Sequence, residues 1–234
     1  VNSDMSVSCN CQDYDGTGRI GDLSLQELAE IFSGAVAAAF RVKLSEGKLP
    51  IPACAACRAL RRTEKEGAAR YVGNYHIPRR GIMVENTIRC NLNCTACFRS
   101  RVMSKREKSS LSLDDVRKIS SLLRREKIGK LSYFNLGEPF LSPRIHEELK
   151  ILREENPALD VHVSTNGMFV EGEDKSQAAL LLDHITFSLD GASTKIVRKY
   201  QRNADFDRSY RNMTRLVRLR AAGGSRKPLV EGQY

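Results

Sequence analysis

Long apolar runs are missing from this sequence. The longest, residues 31–40, is much shorter than the roughly 20 residues that cross a bilayer, and Gly34 interrupts it. No secretory signal is visible, so no membrane partner is expected. Aromatic residues are scarce, at 6%, and the basic residues behind the net charge of +10 form no long run. Solvated helix faces explain this charge better than a nucleic-acid-binding surface does, while an acidic or phosphorylated substrate is compatible with it.

The chain has 234 residues, of which 41% are hydrophobic. That content is enough to bury a core in one large domain or two small ones. The first residue is Val1, and the last segment, residues 228–234, stops in the middle of a strand-like pattern. We therefore expect the sequence to be a fragment of a longer protein.

The seven cysteines are the most informative residues. Because their number is odd, a complete disulfide framework is not expected. Three lie close together in one short segment: Cys90, Cys94 and Cys97. The other four form two close pairs: Cys9 with Cys11, and Cys54 with Cys57. This division predicts a reducing, cytoplasmic compartment and two metal sites, one with three thiolates and one with four.

The three-cysteine segment predicts a catalytic metal site. Thiolates that converge on a short loop bind soft metals, and closely spaced cysteines recur as ligands of iron–sulfur clusters. A four-iron cluster held by three thiolates keeps one iron free, and an open position distinguishes catalytic from structural metal sites. From spacing alone, a zinc site and a disulfide pair with a spare thiol stay open as alternatives.

The chain divides by pattern into a small module in residues 1–60, a linker in residues 61–80 and a larger domain in residues 81–234. A capping box beginning at Ser24 predicts a helix with Leu25 on its apolar face, and a second helix follows Gly34. Four thiolates would stabilise a module too small to fold by burial alone, with zinc and iron–sulfur both possible. Residues 13–24 match part of a calcium-binding loop, but Ser24 stands where a bidentate Glu is needed.

From residue 81 onward, strand and helix patterns alternate. Strands are predicted over residues 81–86, 130–136, 159–163 and 185–189, with a fifth beginning at Leu229. Helices are predicted to start at Ser112 and Pro143 and to span residues 177–182 and 205–221. Repeated βα units predict a parallel sheet with right-handed crossovers, in an open or closed α/β barrel. Functional residues of such folds collect at the carboxyl ends of the strands.

Polar turn sequences follow three of these strands. Residues 135–139 supply carbonyls and the Glu138 carboxylate, which can accept hydrogen bonds from an ammonium group. Hydroxyl and amide groups in residues 164–167 and 188–191 suit contacts with a polar cofactor. Each segment alone is a common turn sequence. The four histidines share no spacing with one another or with any cysteine, so we expect surface or core roles for them: His76, His146, His162 and His184.

These motifs together resemble those of the radical S-adenosylmethionine (SAM) enzymes. The family's cluster loop has the spacing Cys-x3-Cys-x2-Cys followed by an aromatic residue, which is Phe98 here. Gly137, Glu138 and Pro139 are similar to its Gly-Gly-Glu-Pro motif, with Leu136 in place of the first glycine. Residues 200–206 are similar to its Tyr-Arg-x-Gly-Gly-x-Phe segment, but Gln201 replaces the arginine and both glycines are absent.

The resemblance implies a partial (βα)6-type barrel, truncated after four to five strands, and an enzymatic function. Cys90, Cys94 and Cys97 would hold a 4Fe-4S cluster whose free iron is chelated by SAM, and reductive cleavage would give a 5′-deoxyadenosyl radical that abstracts hydrogen from a substrate. An electron donor such as flavodoxin or ferredoxin is implied. Contacts with SAM are implied for the following residues: Phe98, Gly137, Glu138, Pro139, Ser164, Asn166, Ser188 and Asp190.

The N-terminal cysteines resemble the SPASM-type region of the same enzymes, which holds an auxiliary 4Fe-4S cluster. Such regions usually follow the barrel, whereas this one precedes it. The implied ligands of the second cluster are Cys9, Cys11, Cys54 and Cys57. Relatives with this region often modify peptides or protein side chains, and others act on sugars or small metabolites. The alternative of another class is a non-catalytic zinc protein that binds nucleic acid.

Overall fold

A parallel sheet is the centre of the fold. The computed structural model describes residues 1–11, 13 and 15–234. In that part of the chain a short antiparallel pair comes first and a parallel sheet of five strands follows, ordered along the chain. The strands are β1 (Ser6–Ser8), β2 (Arg19–Asp22), β3 (Ile82–Met83), β4 (Lys130–Ser132), β5 (Asp160–Thr165), β6 (His184–Ser188) and β7 (Leu229–Gln233).

Helices connect the parallel strands, which confirms the predicted α/β class and an open, partial barrel. The helices after β3 are α4 (Arg99–Val102), α5 (Leu113–Arg125), α6 (Ile145–Glu155), α7 (Glu173–Leu180), α8 (Thr194–Val197) and α9 (Phe206–Ala222). Before the parallel sheet come α1 (Leu28–Ser33), α2 (Ala35–Ser45) and α3 (Lys65–Ala69), which are numbered in chain order. No helix in the described part of the chain combines the length and apolarity needed to cross a lipid bilayer.

The first two parallel strands are shorter than the sequence predicts. Pairing ends near residue 84, although Val84 and Ile88 are both fully buried. Beyond β3 the chain turns away from the sheet, and Ile88 donates a backbone hydrogen bond to Ser109. The apolar pattern therefore reflects side chains that are buried in a packed loop. A pattern of this length does not distinguish such a loop from a paired strand.

Capping boxes determine where the helices α5 and α1 begin. Ser112 caps α5 as predicted: its hydroxyl accepts from the Asp115 amide at 3.2 Å, and its own amide donates to the Asp115 carboxylate at 2.7 Å. The prediction at Ser24 is wrong, because Ser24 instead donates to Asp22, and α1 begins at Leu28 after a Glu27–Glu30 capping box. Leu25 consequently lies outside the helix and is 84% exposed.

Fewer apolar side chains of the long helix α9 are buried than the sequence predicts. Leu216 is buried and Met213 is half-buried, as predicted for inward-facing positions. Tyr210 and Leu219 are exposed instead, and Tyr210 stacks on Phe206 at a centroid distance of 5.7 Å. The contact face is completed by polar residues that bind loop backbone, so it cannot be recognised from apolar periodicity.

One continuous hydrophobic core joins the N-terminal segment to the sheet. Met5, Val7 and Leu28 belong to the same buried cluster as Val84 and Phe187. A smaller cluster lies behind the cysteine loop and consists of Leu92, Met168, Val197 and Ala204. The division into domains at residues 60 and 80 stays a prediction.

Candidate active site

The carboxyl ends of β4, β5 and β6 meet the cysteine loop around one cavity of about 350 Å³. The lining includes, from the residues predicted at the site, Cys90, Cys94, Cys97, Phe98, Gly137, Glu138, Ser164, Asn166, Ser188 and Asp190. Pro139, also predicted, is buried at the start of a short 3-10 turn, Pro139–Leu141. Motifs that are far apart in the sequence therefore share one cavity, because parallel strands end at the same edge of their sheet.

The cysteine loop lies between β3 and α4, and its three thiols are half-buried. Burial, together with the charges of Cys90 and Cys97, raises the pKa of the Cys94 thiol to about 11. Burial also raises the pKa of Cys90, whose sulfur accepts a hydrogen bond from the Leu92 amide at 3.4 Å. Without metal the Cys90 and Cys94 thiols therefore keep their protons at neutral pH, and metal binding would displace them.

This donor set fits an iron–sulfur cluster. Within the described residues, no three cysteine, histidine or carboxylate side chains are placed to hold a single metal ion. The thiolates of a four-iron cluster each bind a different iron, so they need to share a cavity rather than meet at one point. Three soft sulfur donors around this cavity satisfy that requirement, and they suit iron–sulfur better than a hard cation.

Gly137 is where the loop after β4 touches the segment that leads to the cysteines. A Cβ at this position would stand 1.9 Å from the Thr87 carbonyl oxygen. The next amide, that of Glu138, donates to the Arg89 carbonyl at 2.8 Å. Only glycine permits this approach.

The Glu138 side chain connects the ends of β4 and β5 through hydrogen bonds. Its buried carboxylate accepts hydrogen bonds from the Thr165 hydroxyl at 2.6 Å, the Asn166 amide at 2.8 Å and the Phe140 amide at 3.1 Å. Burial raises the pKa of Glu138, and these hydrogen bonds oppose that effect. Three donors occupy most of a carboxylate's acceptor positions. Few acceptor positions on this carboxylate therefore remain for a further donor.

Asn166 and the two serines connect the remaining parts of the cavity wall. The Asn166 side chain donates to the Asn91 side chain in the cysteine loop at 2.9 Å. Its oxygen accepts from the Met168 amide at 3.0 Å. The hydroxyls of Ser164 and Ser188 lie 3.2 Å apart across β5 and β6. The wall is thus held by direct protein contacts before any cofactor binds.

The match to a known family comes from the same residues. The profile of the Radical SAM superfamily matches residues 84–222, which include the cysteine loop and every strand-end segment described above. The chain belongs to the radical SAM superfamily. It is accordingly an enzyme of that superfamily, which implies SAM and a 4Fe-4S cluster as its cofactors.

Individual relatives match more limited parts of this radical SAM chain. GTP 3′,8-cyclase of Chlorobaculum tepidum is 26% identical over 137 residues, which are 58% of this chain and 40% of the relative. A probable GTP 3′,8-cyclase of Methanocella arvoryzae is 31% identical over 109 residues, covering 47% and 34%. The matched segments thus span less than half the length of these curated relatives.

Solved structures show more distant similarity. The crystal structure of BtrN in complex with AdoMet and 2-DOIA aligns with a TM-score of 0.41 at 24% identity, covering 55% of this chain and 54% of that one. Native anSMEcpe with bound AdoMet and Kp18Cys peptide aligns with a TM-score of 0.47 at 18% identity, covering 65% and 42%.

Sequence reasoning missed several residues at this radical SAM site. Phe134, Tyr200 and Gln201 also line the cavity. Gln201 is buried, and the available signal was its place in residues 200–206, which are similar to a family segment. Its significance depends on which segments the loop meets, and no local pattern encodes that.

Two histidines, for which the sequence predicts only surface or core roles, form a stacked pair on the open face of the sheet. The rings of His162 and His184 are 4.3 Å apart and nearly parallel. Phe134, which lines the cavity, contacts the His162 ring edge-on at 5.1 Å. Burial lowers the pKa of His162, and the charge of His184 lowers it further. The pair exists because the two residues occupy matching register positions on neighbouring strands, which spacing in the sequence could not show.

The N-terminal thiols are arranged less tightly. Cys9 and Cys11 are exposed, whereas Cys54 is buried and Cys57 is half-buried. The two segments touch where the Asn10 side chain donates to the Ala53 carbonyl at 3.4 Å. Cys9 and Cys11 line a cavity of about 210 Å³ beside β3, whereas Cys54 and Cys57 line a different one. In the described residues, the four predicted ligands do not surround a common cavity.

Proposed function

We propose that this chain binds a 4Fe-4S cluster through Cys90, Cys94 and Cys97, cleaves SAM reductively and abstracts hydrogen from a substrate. The observation that supports this most is the shared cavity of the three thiols and three strand ends. When bound, the cluster and SAM together supply a 5′-deoxyadenosyl radical for hydrogen abstraction. The protein supplies ligands, orientation and shielding from water.

Different groups of the chain bind the cluster, bind SAM and restrict water. The three thiols lose their protons and hold the cluster. Backbone carbonyls of residues 135–137 accept from the SAM ammonium, and Ser164, Ser188 and Asp190 bind its polar groups. The rings of Phe98 and Tyr200 cover the cavity edge and restrict water, which protects a radical from side reactions.

The N-terminal cysteines form the proposed second site. Cys9, Cys11, Cys54 and Cys57 would hold an auxiliary, SPASM-type 4Fe-4S cluster, and the hydrogen bond from Asn10 to Ala53, which brings the two segments together, supports this. Such a cluster would accept or relay the electron released on substrate oxidation. Flavodoxin or ferredoxin would be the donor in a reducing, cytoplasmic compartment, where the thiols persist.

For the substrate, we propose a peptide or protein side chain, as expected of a maturase-like enzyme with an auxiliary cluster. A second candidate is a small metabolite, which is favoured by the curated relatives named GTP 3′,8-cyclase. The net charge of +10 suits an acidic or phosphorylated substrate of either kind.

Anaerobic purification followed by metal analysis tests the proposal. Two clusters predict brown protein with about seven to eight irons per chain and 5′-deoxyadenosine formation that depends on reductant. Cys94→Ala should abolish 5′-deoxyadenosine formation, whereas Ser100→Ala, an exposed change on α4, should preserve it. Colourless protein with about two zinc ions and salt-dependent nucleic-acid binding would establish the non-catalytic alternative instead.

The auxiliary site has a separate test. Cys54→Ala should remove about four irons per chain and leave SAM cleavage intact, because the two sets of thiols line different cavities. Turnover of substrate should be lost. Unchanged iron content in this variant would refute the second cluster without affecting the first.

A further inference from the structure

The cysteine loop is attached to a segment that follows α8. The Thr95 amide donates to the Tyr200 carbonyl at 2.9 Å, and the Asn93 amide donates to the Arg202 carbonyl at 3.3 Å. Behind these hydrogen bonds, Leu92 packs in the small apolar cluster that includes Val197. The backbone between the cysteines is therefore positioned by residues 200–202, which lie about a hundred residues further along the chain.

Gln201 anchors that segment to the end of β6. Its side chain is almost fully buried, with the residue 4% exposed. The side-chain amide donates to the Ser188 carbonyl at 2.9 Å and to the Asp190 carboxylate at 2.5 Å. One amide group thus connects the segment that holds the cysteine loop with the strand end that carries Asp190.

Asp190 needs such support. Its backbone has φ 50°, in the left-handed region that non-glycine residues seldom occupy. Its amide donates to the Gln233 carbonyl at 3.0 Å, so Gln201 holds the side chain while β7 holds the backbone. The carboxylate lines the same cavity as the thiols.

We propose that Gln201 is a positioning residue that sets the placement of the cysteine loop relative to Asp190. This inference rests on the proposed function, because it assigns the loop to the cluster and Asp190 to SAM. Glutamine suits the role because it donates hydrogen bonds without adding charge. Asp190 therefore keeps its net negative charge toward the ligand, whereas the arginine of the family segment would offset that charge.

The main test replaces Gln201 with methionine, which has a similar shape and no amide. Gln177→Met, an exposed change of the same kind on α7, is the matched control. In metal-free protein, hydrogen exchange at the Asn93 and Thr95 amides should become about tenfold faster in Gln201→Met, because two buried hydrogen bonds are lost. The control should exchange at the wild-type rate.

The loaded protein provides the readouts that separate positioning from general stability. In Gln201→Met, the KM for SAM should rise about tenfold while kcat for 5′-deoxyadenosine formation changes less, and the electron paramagnetic resonance spectrum with SAM should shift. Gln201→Asn should behave similarly, because a side chain one methylene shorter cannot reach both acceptors. This variant also replaces Gln201→Met in the exchange experiment if the methionine variant does not fold.

These measurements distinguish failure of the positioning role of Gln201 from failure of the proposed function. If wild-type protein cleaves SAM but exchange at Asn93 and Thr95 and the KM for SAM are unchanged in the variants, the positioning role is overturned. If wild-type protein binds no cluster, the proposed function fails, whatever the exchange rates show. Faster exchange together with a raised KM supports the inference.

Discussion

The two cysteine regions of this chain differ in how much of their geometry the protein itself provides. Around the loop of Cys90, Cys94 and Cys97, hydrogen bonds with the ends of β4 and β5 and with residues 200–202 hold the segment in place. The N-terminal thiols lack a common cavity within the described residues, although Asn10 contacts Ala53 between the two cysteine pairs. The difference agrees with the two proposed sites, a preformed catalytic site and an auxiliary site that its metal would complete.

The largest effect should follow from closing the space at Gly137. Gly137→Ala places a methyl group against the Thr87 carbonyl, so we expect a loss of about 3 kcal/mol or more in unfolding free energy and failure to retain iron. Gly129→Ala is the control, because a Cβ there would meet open space. Urea denaturation and iron analysis measure both. Wild-type stability in Gly137→Ala would contradict the preformed site.

Removing iron should separate the two regions. We expect amide exchange in residues 9–11 and 52–57 to accelerate by about a hundredfold on chelation, since metal binding there would contribute folding free energy. Residues 90–97 should change by less than about tenfold, because protein contacts hold them. Exchange mass spectrometry before and after chelation measures this. Equal acceleration in both regions would remove the distinction.

Glu138→Gln should weaken the connection between the ends of β4 and β5. The amide nitrogen of glutamine cannot accept the hydrogen bonds that a carboxylate oxygen accepts, so we expect a loss of about 1–3 kcal/mol in unfolding free energy. Glu147→Gln, an exposed change on α6, should cost less than about 0.5 kcal/mol. Urea denaturation near neutral pH compares them, and equal values would argue against the connection.

The smallest effect concerns the histidine pair. Because the pKa of His162 is lowered in the folded state, the unfolded state binds more protons. Unfolding free energy should therefore fall as pH drops below about 6.5 and continue to fall until His162 is protonated in the folded state. His162→Asn should weaken this pH dependence. The fall in unfolding free energy between pH 7 and pH 5 should be smaller than in the wild-type protein, by less than about 1 kcal/mol.

The charged neighbours of the pair define the control for that measurement. Asp160 and Glu231 face His162 and act against the lowering of its pKa, and His184 acts with it. His76→Asn, at an exposed position, should leave the slope unchanged. Identical pH dependence in His162→Asn and wild-type protein would show that the stacked pair does not contribute.

Local patterns were sufficient for much of this fold. The parallel strands and α5 follow from alternation, apolar stripes and a capping box, because these signals act over a few residues. The boundary errors have the same origin: the Ser24 prediction failed because the hydroxyl and amide of Ser24 bind Asp22 two residues earlier. Tyr210 was misplaced because α9 binds loop backbone through polar residues such as Asn212.

By itself, the sequence determined the α/β class, the three-cysteine loop and the polar segments after the strands, since each is written in adjacent residues. Only the tertiary structure decided that Gln201 joins the cysteine loop to Asp190, that Glu138 is occupied by Thr165, and that two histidines stack. The side-chain contacts among these join residues that are 11 to 27 positions apart in the chain. Strand register and loop docking set their distances, and residue spacing along the chain carries no measure of either.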